Sequence, residues 1–182
     1  MPLKFIIYDI EATCWGKYAP PKQQETIEIG ALMLDRYGEV QDTFHRYVRP
    51  KLNPLLSNYC FDLTGLEQET IDRAAYFPDV AEDFQDWIEV FDEDYMLCSW
   101  GSFDQKILMS DCDLYNMETK WLEPYMNLRR QYQTMKRSRR NQGLKYVVEK
   151  EGFEFTGTNH EAIADAENLA KVFIKYLDDW VY

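Results

Sequence analysis

No stretch of the 182-residue sequence approaches the roughly 18 consecutive apolar residues of a membrane-spanning helix, which excludes a helical span. Lys4 runs directly into the apolar segment Phe5-Ile6-Ile7, with no cleavage region of the signal-peptide type, so a cytoplasmic location is expected. Cysteine is sparse and scattered: Cys14, Cys60, Cys98 and Cys112 include no C-x-x-C, which argues against a zinc site or a disulfide frame and for free thiols in the core or near a site. Only two histidines are present, and no EF-hand loop, internal repeat or low-complexity segment appears. Positive charge is in deficit, with 20 Lys and Arg against 32 Asp and Glu and a formal net charge of −12. That balance would ordinarily exclude a nucleic-acid partner, because phosphate binding is dominated by Lys and Arg.

The distribution of charge reverses that exclusion locally. Residues 129–145, RRQYQTMKRSRRNQGLK, hold Arg129, Arg130, Lys136, Arg137, Arg139, Arg140 and Lys145 and no acid, which leaves 13 bases against 32 acids elsewhere. Such a segment is either a solvated charged helix and loop or a track for phosphates.

With 46% apolar and 15% aromatic residues the chain can bury one full core, and residues 1–182 are expected to form a single domain. The apolar run from Phe5 is followed by β-rich runs at 25–35 and 40–50 around a turn at Gly38, which predicts a three-strand antiparallel meander. Val80, Phe84, Trp87, Ile88 and Phe91 recur at helical spacing over 78–91, ahead of a buried strand YMLCSW. A helix capped by Ser102, a fifth short strand within WLEPYMNL, a helix closed by Gly152 and a long terminal helix through Ala162, Leu169 and Phe173 complete the pattern. The expected architecture is α/β, a mixed sheet covered by helices.

The chemistry starts at Asp9 and Glu11 in YDIEATCW. Alternation along a strand places residues i and i+2 on one face about 6–7 Å apart, so both carboxylates point the same way at the end of a buried strand, where ligand crevices of α/β sheets lie. Asp104 follows YMLCSW in the first turn of a helix, and Asp165 stands in the first turn of the last helix, five residues after His160. A helix start tolerates an acid for dipole reasons alone. Four acids brought together would need a cation, and hard divalent ions prefer oxygen ligands, so Mg²⁺ or Mn²⁺ is expected. Two such ions can activate a water for in-line phosphoryl displacement, and His160 could take the proton of that water near neutral pH. His45 has no acidic motif around it and is assigned to a strand face.

DIEAT with Asp9 and Glu11, WGSFD with Asp104, and HEAIADAEN with His160 and Asp165 resemble the three motifs of the DEDDh class of DnaQ-like 3′-to-5′ exonucleases, which have the ribonuclease H-like fold. The H-x4-D spacing favours this histidine branch over the branch with a tyrosine four residues before the final aspartate. ETIEIGALML, YVRP, LTGLEQETIDRAAYFPDV, KWLEPYMNLRRQY and GLKYVVEKEGFEFTG look like the histone-mRNA 3′-exonuclease subgroup, and the likeness runs from residue 4 to about 178.

The resemblance implies a five-stranded mixed sheet and two metal ions, Mg²⁺ or Mn²⁺. Asp9, Glu11 and Asp165 would hold the first, Asp9 would bridge to the second, Asp104 would hold the second, and His160 would be the general base. It also implies that Ala12 and Thr13 line the terminal nucleotide and that Tyr59, Leu63 and Phe103 form its pocket; Phe103 stands where the subgroup tends to have tryptophan. The implied activity is a 3′-to-5′ exoribonuclease releasing 5′-mononucleotides from single-stranded 3′ ends, RNA being favoured. An exodeoxyribonuclease and a non-catalytic nucleic-acid-binding module remain the alternatives.

Overall fold

The computed structural model describes residues 4–17, 19, 22–91 and 94–182. Strand β1 (Lys4–Ala12) lies in the middle of the sheet, and Phe5, Ile6, Ile7 and Tyr8 are wholly buried because helices cover both faces. Burying each such side chain stabilises the fold by about 1.5–3 kcal/mol. On one side β1 pairs antiparallel with β2 (Thr26–Asp35), and β2 pairs antiparallel with β3 (Val40–Arg49), the expected meander turning at Gly38 with φ +84°. On the other side β1 pairs in parallel with β5 (Tyr95–Ser99), and β5 with β6 (Tyr125–Asn127).

The sheet has six strands, not the expected five: a two-residue strand β4 (Ala75–Tyr76) adds in parallel to β3, giving the order β4-β3-β2-β1-β5-β6. Two residues of alanine and tyrosine carry no alternation that could mark a strand in advance.

Helices α1 (Asn58–Thr64), α2 (Gln68–Arg73) and α3 (Phe77–Ile88) follow β3. The α3 helix ends earlier than residue 91 because Glu89 takes the left-handed conformation at φ 59°, which leaves Phe91 outside it and 91% exposed. Phe77, Val80, Phe84 and Ile88 of α3 pack on Ile6, Tyr8, Ile10 and Phe44, with the Phe44 and Phe84 rings 4.9 Å apart. Helix α4 (Phe103–Leu114) starts after Ser102, but the serine side chain makes no capping bond among the described residues. WLEPYMNL forms a strand only over Tyr125–Asn127, after a 3-10 turn at Lys120–Leu122.

The opposite face of the sheet is covered by α5 (Leu128–Met135), α6 (Leu144–Lys150) and α7 (Ala162–Lys175). Phe5, Ile7, Leu32 and Leu34 meet Leu169, Val172 and Phe173 of α7 there, and Trp180 stacks on Phe173 at 5.9 Å. The start of α7 comes closest at Gly30, where a Cβ would lie 2.2 Å from the Ile163 nitrogen. Only a glycine in β2 admits that approach.

Candidate active site

Asp9 and Glu11 lie on the α7 face of β1, continuing the row begun by Phe5 and Ile7. The register puts Asp9 opposite Gly30 and Glu11 opposite Glu28 of β2. Because β1 and β5 run in parallel, their carboxyl ends open on the same edge, and the segment after β5 returns Asp104 to it in the first turn of α4. Asp165 arrives from the first turn of α7, and His160 from the turn before it. Two strands and two helix starts thus converge on one end of the sheet, the position at which α/β sheets form ligand crevices.

The five sequence-predicted residues line one cavity of about 520 Å³. Glu11, His160 and Asp165 each present a ligand atom, all within 4.8 Å of one another, and His160 Nδ1 lies 3.9 Å from Glu11 Oε1. His160 takes the left-handed conformation at φ 68°, and its backbone N–H donates to Asp165 Oδ2 at 3.0 Å. The other oxygen, Asp165 Oδ1, is buried with no hydrogen-bond partner among the described residues. An acceptor left unsatisfied in this way costs free energy unless something else reaches it.

The electrostatics describe a charge deficit. Burial first, and then the repulsion of Asp104, Asp165, Glu11 and Glu28, pushes Asp9 well above the ordinary carboxylate range. Glu11 is pushed up to about 9 by burial, with Asp165 and Glu28 adding to it. Burial raises Asp104 and Asp165 to about 6 each, against hydrogen bonds that pull the other way, among them the Ser99 hydroxyl for Asp104 and the His160 N–H for Asp165. Burial lowers His160, so its imidazole is neutral near pH 7. Mutually repelling carboxylates and one orphaned oxygen fit hard divalent cations, for which oxygen ligands and negative charge are the requirement.

The pocket residues are divided. Ala12, Leu63 and Phe103 line the cavity, and Phe103 is 47% exposed. Thr13 and Tyr59 do not: Thr13 is buried with Oγ1 accepting from the Glu25 N–H at 3.0 Å, and Tyr59 lies on α1, half exposed and one helical turn before Leu63. Cys14 lines the cavity and Cys98 lies in the core. Sequence reasoning missed Trp100, Lys145 and Asn159 in the lining, of which Lys145 belongs to the basic segment.

It also missed Glu28. This glutamate is wholly buried behind the site, with Oε1 2.7 Å from His45 Nε2 and Oε2 accepting from the Ala162 N–H at 3.2 Å. The available signal was an acid between two isoleucines, which alternation puts on the same face as Thr26 and Gly30.

Residues 6–173 match the family described as Exonuclease, RNase_T. The 3′-5′ exoribonuclease 1 of Homo sapiens is 33% identical over 181 residues, covering 95% of this chain and 52% of the relative. The 3′-5′ exonuclease eri1 of Schizosaccharomyces pombe is 29% identical, covering 93% of this chain and 66% of its own length. The chain thus spans about half the length of the human relative. Among solved structures, the nuclease domain of 3′hExo, a DEDDh family member bound to rAMP, superposes with a TM-score of 0.90 at 32% identity, covering 98% of this chain and 93% of that one. A 3′-exonuclease in a structure of 3′-end-specific recognition of a histone mRNA stem-loop gives a TM-score of 0.91 at 31% identity, with 98% and 83% covered.

Proposed function

The chain belongs to the exonuclease family, and from that premise we propose that it is a 3′-to-5′ exoribonuclease that removes 5′-mononucleotides from single-stranded 3′ ends. The observation that carries this reading is the convergence of Glu11, His160 and Asp165 within 4.8 Å, in a cavity that Asp9 and Asp104 also line. Asp9, Glu11, Asp104 and Asp165 would hold two divalent ions, Mg²⁺ or Mn²⁺, which supply charge neutralisation at the scissile phosphate and lower the pKa of the attacking water.

The remaining steps belong to this chain's own side chains. His160, neutral and half exposed at the cavity, accepts the proton of the attacking water on its free ring nitrogen. Asp165 fixes the backbone of His160 through Oδ2 and so fixes where the ring stands. Phe103, Leu63 and Ala12 offer an apolar wall to the terminal base and sugar; stacking of this kind is worth about 1–3 kcal/mol per base and tolerates any base. Lys145 lines the same cavity and presents a positive charge to the backbone of the entering strand. Among the described residues no helix is long and apolar enough to cross a membrane, and four free cysteines suit a reducing compartment such as the cytoplasm.

The test is digestion of 5′-labelled single-stranded RNA and matched DNA with Mg²⁺, Mn²⁺ or EDTA, beside Asp9→Ala. A ladder that shortens from the 3′ end, needs metal, runs faster on RNA and vanishes in the variant is the expected result. Strands left intact by a folded protein under every condition would reject the reading.

A further inference from the structure

Glu28 does not line the catalytic cavity, yet it joins the elements that build it. It stands opposite Glu11 on β2, on the sheet face that receives α7, and its Oε2 accepts the N–H of Ala162, the first residue of that helix. Asp165 lies three residues after Ala162 along α7, and His160 lies two residues before Ala162. The neighbouring position on the same face is Gly30, whose missing side chain lets Ala162 and Ile163 lie directly against the strand. The start of α7 is therefore fixed by one close backbone approach and one charge-assisted hydrogen bond. Glu161, at the cap position, makes no capping bond among the described residues, so the Glu28 carboxylate takes over that work from outside the helix.

His45 completes the arrangement. It lies opposite Gly30 on β3, on the same face, and its Nε2 sits 2.7 Å from Glu28 Oε1. Its ring is held edge-on by Tyr47 at 5.0 Å, and the hydrogen bond to Glu28 raises its basicity. An acid wholly buried beside Asp9, Glu11 and Asp165 would be repelled by all three; His45 and the Ala162 N–H together supply both of its oxygens with donors. From this geometry we infer that Glu28, clamped by His45, is a positioning residue of the reaction: it sets the start of α7 and through it the places of Asp165 and His160. The inference rests on the exonuclease reading for its activity readout, but its metal-binding readout does not.

Glu28→Gln retains an oxygen for the Ala162 N–H and an amide for His45 while removing the charge; Glu28→Ala removes both contacts. Outer-shell partners of metal ligands cost about 10–100-fold when deleted. The variants are compared by kcat and KM on single-stranded RNA and by calorimetric titration of Mn²⁺ without RNA, each with a melting curve taken first. The expected result is that Glu28→Ala lowers kcat and Mn²⁺ affinity at least about 10-fold with KM little changed, and that Glu28→Gln restores both to near the parent values. A folded Glu28→Ala with parental kcat and Mn²⁺ affinity overturns the role, and so does a Glu28→Gln as impaired as the alanine variant, which would make charge rather than position the contribution. Should Glu28→Ala fail to fold, His45→Ala against His45→Gln, which keeps a donor for Glu28, carries the same comparison: loss in the first and recovery in the second is expected, and parental behaviour of both overturns the clamp. A parent protein that degrades neither RNA nor DNA would defeat the exonuclease reading alone, and the Mn²⁺ titrations would still decide the role of Glu28.

Discussion

The backbone N–H of His160 is bonded to one oxygen of Asp165 at 3.0 Å, while the other oxygen of that carboxylate is buried with no partner among the described residues. One side chain therefore divides its work, with Oδ2 shaping the turn and Oδ1 left for another partner. Asp165→Asn separates the two tasks, because the amide oxygen can still accept from His160 while the amide nitrogen cannot serve a cation. The variant is expected to fold with a melting temperature at or above the parent's in EDTA and to lose about 100-fold or more in rate. Melting curves and initial rates on the same preparation check it; loss of both fold and rate would assign Asp165 to structure alone.

Without metal the site should weaken the protein as pH rises. Glu11 is raised to about 9, and Asp104 and Asp165 to about 6, all by burial before any other cause. Through this window the folded chain keeps protons that the unfolded chain has released above about pH 4.5, so the unfolded state binds fewer protons and stability falls with increasing pH. The melting temperature in EDTA is expected to be lower at pH 8 than at pH 5.5, at about 2–4 °C for each kcal/mol lost in a chain of this size. Mn²⁺ should remove most of the difference, since metal binding favours the deprotonated ligands. Asp9→Asn should flatten the slope in EDTA, and a slope unchanged in that variant would place its source elsewhere.

His160 sets the expected acid limb of the reaction. Burial lowers its pKa below the ordinary 6.5, so the neutral ring persists to more acid pH than an exposed histidine allows. In the presence of saturating Mn²⁺, the rate should fall with a midpoint below 6.5. His160→Ala should lose about 10²–10⁴-fold while still binding Mn²⁺. A variant that keeps the parent's rate would remove the imidazole from proton transfer.

Most of the candidate site is legible in the sequence because its residues are polar exceptions at the ends of apolar elements. Asp9 and Glu11 interrupt the apolar row of β1, and Asp104 and Asp165 stand in helix first turns, positions that periodicity locates well. The parts that escaped depend on tertiary contact. Strand β4 is two residues long, and the early end of α3 turns on a left-handed glutamate, neither of which has a periodic signature. Glu28 reads as one acid in a strand until α7 brings the Ala162 N–H to it across 134 positions of sequence. Thr13, which the family resemblance assigns to the nucleotide, has its hydroxyl accepting from the Glu25 backbone N–H, a contact no motif discloses.

The basic segment divides into residues already engaged and residues free to meet phosphate. Lys136 is 3.5 Å from Glu151 and 2.5 Å from the Tyr176 hydroxyl, so its charge is used within the fold. Arg130, Arg137 and Arg139 form no ion pair among the described residues and together wall an open depression of about 460 Å³. Past them the segment reaches Lys145, which lines the candidate site. On a body carrying a net charge of −12, each such contact is exposed to competition from salt. If all three arginines neutralise phosphates, replacing them by glutamine should make the dependence of log K on log salt shallower by about 2, at roughly 0.7 per contact on a single strand. The catalytic rate at saturating RNA should change little, because these residues stand away from the cavity. Lys136→Gln is the contrasting case: it should lower the melting temperature and leave the salt slope in place. Fluorescence-anisotropy titrations of Asp9→Ala with a labelled oligoribonucleotide, at several salt concentrations and with the same arginine changes added, measure the slope without degradation of the probe. An unchanged slope in the triple variant would return the segment to the role of a solvated surface.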